Sequence, residues 1–137
     1  MAIGFNYNDG GRSRYFKAKG VGDCVVRALA IATNSDYKEV YDKAMNFLGY
    51  SPRNGIKHKD TKNLMVHFGG FWHPTVTIGS GCKVHLRDDE LPKGRIVCSC
   101  SRHLVAVING IINDTYDCSR NGTRCVYGYW VFETKRD

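Results

Sequence analysis

The dipeptide Asn109-Gly110 separates two apolar runs, residues 104–108 and 111–115. A two-residue hairpin turn needs positive φ at both central positions, which Asn and Gly tolerate best. The pair therefore sets a register. Ile108 faces Ile111, Val107 faces Ile112, Ala106 faces Asn113, Val105 faces Asp114, and His103 faces Tyr116. Because side chains alternate along a strand, His103, Val105 and Asp114 share one side of the sheet. His103 and Asp114 become diagonal neighbours, close enough for a carboxylate to hold an imidazole N–H. Asn113 and Asp117 point the other way. A slip of one residue would exchange Asp114 for Asn113, so the turn decides which of them meets the histidine.

Upstream of residue 71 the periodicity is helical. Val25, Ala28, Leu29 and Ala32 recur at helical spacing, and Val26, Ala30 and Ile31 make this segment apolar nearly all round, which implies a buried helix over 24–33. Asp36 with Glu39 resembles a capping box that opens a second helix. Tyr37, Val40, Tyr41, Ala44 and Leu48 form its buried face, and Gly49 ends it. A third helix is predicted over 60–68, stopped by Gly69-Gly70. Strands are predicted over 75–78, 82–86, 95–101, 104–108, 111–115 and 125–132. The fold expected is α+β, with N-terminal helices packed on a C-terminal antiparallel β-sheet and a cleft where the halves meet.

With 137 residues, 42% of them hydrophobic, the chain has material for one core, so a single domain over 1–137 is expected. Residues 1–22 form a basic, Gly-rich segment with an edge strand. No apolar run reaches membrane-spanning length, and the first residues lack a basic stretch leading into an apolar one. A cytoplasmic protein is therefore expected, with its six cysteines reduced and with Cys118 and Cys125 as free thiols. The formal net charge of +7 favours anionic partners without defining a site. Basic clusters at Arg12, Arg14, Lys17 and Lys19, and at Lys57, His58, Lys59 and Lys62, read as solvated surface, because no nucleic-acid-binding motif accompanies them. Cys98-Ser99-Cys100 before His103, and Cys82 before His85, raise zinc as an option. Neither has the spacing of a Cys-x-x-Cys knuckle, so no metal and no cofactor are expected.

Cys24 opens the first helix. A thiol in the first turn feels the positive end of the helix dipole and unpaired N–H groups, both of which favour thiolate. Cys24, His103 and Asp114 thus read as nucleophile, base and orienting acid. The backbone N–H of Cys24 would form part of an oxyanion hole. Asp23 is an N-cap candidate and a partner for Arg27, with a substrate-side role as the alternative. Trp72, Tyr116 and Trp130 read as core or cleft-wall packing with substrate binding as the alternative, and Tyr116 shares the His103 face.

The order of Cys, then His opening an apolar strand, then Asp after a hairpin resembles the papain-like cysteine peptidase superfamily. The Asp23-Cys24 to Ala28-Leu29-Ala30 segment and His103-Leu104-Val105-Ala106-Val107 are similar to C39-like peptidase domains. The wider chain, including residues 51–55, 81–86 and 126–130, looks like small uncharacterised proteins of tailed bacteriophages. The resemblance implies a cysteine hydrolase or peptidase acting on an amide, isopeptide or related acyl bond of a host or phage protein, with a protein or peptide as substrate. Papain-like enzymes usually place a Gln before the nucleophile as an oxyanion donor, and this chain contains no Gln. Lys17, Lys19, Asn6 or Asn8 are the candidate substitutes. The alternative is a catalytically silent papain-like fold that binds a host protein or nucleic acid.

Overall fold

The computed structural model describes residues 3–16, 23–76, 79 and 81–133. Its architecture is α+β. Three helices, α1 (Cys24–Ala32), α2 (Tyr37–Leu48) and α3 (His58–His67), precede most of a six-stranded sheet. The strands are β1 (Gly4–Tyr7), β2 (Phe71–Pro74), β3 (Arg95–Cys100), β4 (His103–Ile108), β5 (Ile111–Asp114) and β6 (Gly128–Phe132), in spatial order β1-β5-β4-β3-β6-β2.

The hairpin forms in the register that its turn dictates. Asn109 and Gly110 have φ of 50° and 80°, and Ile108, Val107 and Ala106 pair with Ile111, Ile112 and Asn113. Alternation along β4 then divides the core. Val97, Ala106, Trp130 and Phe132 meet α1, α2 and α3 on one side of the sheet. Ile96, Val105, Val107 and Ile112 face the other side, where Leu86, Cys118 and Val126 from irregular segments cover them. On α1, residues 25–32 are buried except Arg27, as its all-round apolar pattern requires. The Asp36 carboxylate accepts the Glu39 N–H at the start of α2, and Gly49 closes that helix with φ 79°.

Several expectations are corrected. The sheet is mixed, because β1 pairs in parallel with β5 along one edge. Parallel neighbours need a long crossover, and everything from α1 to β4 supplies it. The strand expected over 75–78 lies earlier, at Phe71–Pro74, with residues 77–78 outside the described set. Pro74 lacks an N–H and is tolerated as the last residue of an edge strand. Gly128 is required opposite it, since a Cβ there would collide with the Trp72 indole, which packs on Trp130 with ring centroids 4.3 Å apart. Residues 82–86 form no strand, their one β-bridge pairs His85 with Cys125, and β6 begins only at Gly128. Cys125 is not a free thiol. It is bonded to Cys82 with Cα atoms 5.9 Å apart, so the expectation of six reduced cysteines fails there. Among the described residues, no helix is long and apolar enough to cross a membrane.

Candidate active site

Cys24 begins α1, His103 begins β4 and Asp114 ends β5, so three element termini meet at one end of the sheet. His103 Nε2 lies 2.6 Å from Asp114 Oδ2, as the hairpin register requires. Both side chains are more than nine-tenths buried. The hydrogen bond to Asp114 leaves Nδ1 as the ring's other nitrogen, and His103 also hydrogen-bonds Cys24.

The electrostatics favour an ion pair. Burial pushes the Cys24 thiol up. Hydrogen bonds from His103 and the Leu104 backbone, with the charges of His103 and Arg27, overcome this and leave it below its ordinary value. Burial likewise opposes the imidazolium of His103. Hydrogen bonds with Asp114, Cys118 and Cys24, and the charge of Cys24, raise it to about 12. The two directions agree, since each favours thiolate beside imidazolium over thiol beside neutral imidazole. In contrast, burial and neighbouring sulfur raise Cys98 well above the ordinary thiol range and Cys100 to about 11.

Asp23 does not cap α1, because its carboxylate is used elsewhere. It is 1% exposed and ion-pairs with Arg12 at 2.9 Å and Arg27 at 3.2 Å, and it accepts the Tyr37 hydroxyl at 2.7 Å. These partners direct Asp23 into the protein and away from a substrate. Among the described residues, the N-cap side chain makes no cap hydrogen bond to the first N–H groups of α1, at the point where Cys24 and Val25 line a cleft. Tyr116 packs its ring against His103, with centroids 5.5 Å apart. Asn6 and Asn8 do not reach the cleft, since both amides donate to Asn113 Oδ1 on the face opposite Asp114. Lys17 and Lys19 lie outside the described residues.

Two participants were not legible in the sequence. Arg27 bridges Asp23 and Asp114, donating to Thr115 Oγ1 at 2.8 Å and lying 3.4 Å from Asp114 Oδ1. Its helical spacing pointed to Asp23 alone. Cys118 is buried against His103 from an irregular segment that carries no periodic signal. His103, Asp114 and Cys118 offer ligand atoms within 4.8 Å of one another, a donor set that suits zinc chemically. However, two ligands of a tetrahedral zinc stand about 3.3 Å apart by its bond lengths. The 2.6 Å contact between His103 and Asp114 is a hydrogen bond that a metal would have to break.

The cleft beside Cys24 has a volume of about 690 Å³. His103 and Cys100 border it at the sheet end, Ile56 and Thr61 belong to the helical side, and Trp72 and Trp130 form an aromatic wall. No protein-family profile, curated protein or solved structure matches this chain.

Proposed function

We propose that this chain is a papain-like cysteine hydrolase acting on an amide, isopeptide or related acyl bond. The observation that carries the proposal is the single line of contacts from Asp114 through His103 to Cys24, whose pKa these neighbours lower and which opens onto a cleft. An apolar helix bearing the cysteine, packed on antiparallel strands bearing His and Asp, supports the papain-like reading. The Cys24 thiolate attacks the substrate carbonyl carbon, and the first N–H groups of α1 stabilise the oxyanion. The His103 imidazolium gives its proton to the departing amine as the C–N bond breaks, leaving a thioester on Cys24. His103, now neutral, takes a proton from water, whose oxygen attacks the thioester and releases the acid. Asp114 holds the ring in one orientation and stabilises its charged form throughout.

A second reading is a binding module that has lost its chemistry. It is favoured by the engagement of Asn6 and Asn8 with Asn113, which leaves no described Asn or Gln amide to complete the oxyanion hole. Alkylation with iodoacetamide at pH 6–7 separates the two. The hydrolase requires Cys24 to react at least tenfold faster than Cys98, Cys100 and Cys118, and His103→Ala to abolish the difference, on the order of the reactivity gap between thiolate and thiol. Uniform slow labelling of the four thiols would sink the enzyme.

A further inference from the structure

The charge of the cleft identifies the chemical class of its substrate. Among the described residues, its ionisable lining away from Cys24, Cys100, His103 and Tyr127 consists of His58, Lys62 and Arg102, and no described Asp or Glu borders it. His58 and Lys62 stand on α3 on one wall, and Arg102 stands in the β3–β4 turn on the other. All three are exposed, and none forms an ion pair with a described carboxylate. Elsewhere the chain does pair its surface charges, as Lys38 with Asp42 and Lys43 with Glu39. The nearest acid of the triad, Asp114, is buried behind His103 and shared with Arg27, so it offers no negative surface to the cleft.

Lys62 and Arg102 are thus the cations of the two walls, and the cleft also has an aromatic platform. Trp72 rests across Gly128 on Trp130, and Tyr127 borders the same opening half-exposed. Uncompensated cations on two walls concentrate anions between them, and flat aromatic faces bind large apolar or aromatic groups. Resting on the hydrolase reading, we propose that the cleft selects an acidic peptide segment in which a Glu or Asp lies beside a large apolar or aromatic residue near the scissile bond. A single-stranded nucleic acid also combines anionic and planar groups. It offers no acyl carbon to Cys24, which is why a peptide is the occupant assigned.

Two measurements on the full chain test the assignment. First, the rates at which iodoacetate and iodoacetamide alkylate Cys24 are compared, because the former is an anion and the latter is neutral. One unit charge acting across roughly 8 Å of water changes the local concentration of an anion about twofold. The iodoacetate-to-iodoacetamide ratio should therefore fall about fourfold in Lys62→Gln/Arg102→Gln at low salt. An unchanged ratio overturns the proposal. Second, binding of a fluorescent Glu-Phe-containing peptide is followed by anisotropy on Cys24→Ala protein, beside the same peptide with Gln for Glu and an oligothymidylate. Binding of the acidic peptide at least fivefold tighter than the other two supports the assignment. Equal binding of the Gln peptide, or tighter binding of the oligonucleotide, refutes it. Since the binding arm needs no thiol, an acid-selective cleft beside an unreactive Cys24 would sink the hydrolase alone. A reactive Cys24 with no acid preference would sink the substrate class alone.

Discussion

Replacing Cys24 by Ala is expected to alter the pH dependence of folding stability in a way that only a thiolate–imidazolium pair produces. In the folded protein Cys24 binds its proton less tightly than its ordinary 9.0, while His103 binds its own more tightly than 6.5, up to about 12. His103, being raised, contributes stability that is complete below pH 6.5 and lost as pH rises toward its folded value. Cys24, being lowered, contributes stability that is complete above pH 9.0 and lost as pH falls through its folded value. Between these limits a folded pair in the thiolate–imidazolium form of the proposed mechanism carries one proton, on His103, and the unfolded pair also carries one, on Cys24. The two contributions cancel, and the wild-type pair adds no slope. Cys24→Ala deletes one of them. The variant should therefore lose stability relative to wild type by about 1.4 kcal/mol per pH unit, or about 2 kcal/mol between pH 7.0 and 8.5. Guanidinium unfolding followed by tryptophan fluorescence at several pH values across that range measures the difference, and the other ionisable groups are common to both proteins. Parallel stability curves would refute the reasoning, because Cys24 would then be a neutral thiol in the folded state.

Asp114→Asn keeps the shape of the acid but replaces a charge-assisted hydrogen bond to His103 with a neutral one. Alkylation of Cys24 at pH 7 should slow about tenfold, equivalent to about 1.4 kcal/mol, and an unchanged rate would remove Asp114 from the triad. Asp23→Ala strips the buried acceptor from Arg12, Arg27 and Tyr37. It should cost about 3–5 kcal/mol in chemical denaturation, and a loss below 1 kcal/mol would show that the arginines find other partners. Gly128→Ala places a methyl where the Trp72 indole lies. It should destabilise by about 1–3 kcal/mol and red-shift tryptophan emission as the ring is displaced, whereas unchanged emission would contradict the packing described.

What the sequence revealed and what it hid divide by the range of the interaction. The pairing of His103 with Asp114 was legible because one turn, Asn109-Gly110, sets every residue opposite in the short hairpin that contains both. The start of α2 was legible for the same reason, since Asp36 and Glu39 are one turn apart. The parallel partnership of β1 with β5 left no local trace, because alternation within a strand does not reveal a neighbour at the other end of the chain. Nor did the Cys82–Cys125 bond, whose two irregular segments are 43 residues apart. Strand β2 was missed for a different reason. Its Trp72-His73-Pro74 run ends in a proline that reads as a strand breaker, and only its position at an edge makes the strand possible.

The aspartate immediately before Cys24 poses an apparent conflict, which the wider charge network resolves. A carboxylate at the start of α1 would ordinarily cap the helix, occupy its N–H groups and repel a neighbouring thiolate. Here Asp23 is turned toward Arg12, Arg27 and Tyr37, so its charge is compensated away from the cleft. Arg27 then extends to Asp114, Asp114 to His103, and His103 to Cys24. With Cys24 and His103 in the ion-paired form that their shifts favour, the groups along this path alternate from guanidinium to carboxylate, guanidinium, carboxylate, imidazolium and thiolate, with equal numbers of each sign. Burial makes an unpaired member of such a chain expensive. The thiolate is therefore held in place by the same balance that stabilises the junction of α1 with the sheet, and losing any interior member leaves an odd charge that the remaining groups cannot neutralise. This ties the electrostatics of Cys24 to Arg27, which does not border the cleft. It also explains why the acid next to Cys24 belongs to the scaffold while the acid that pairs with His103 lies on a distant strand.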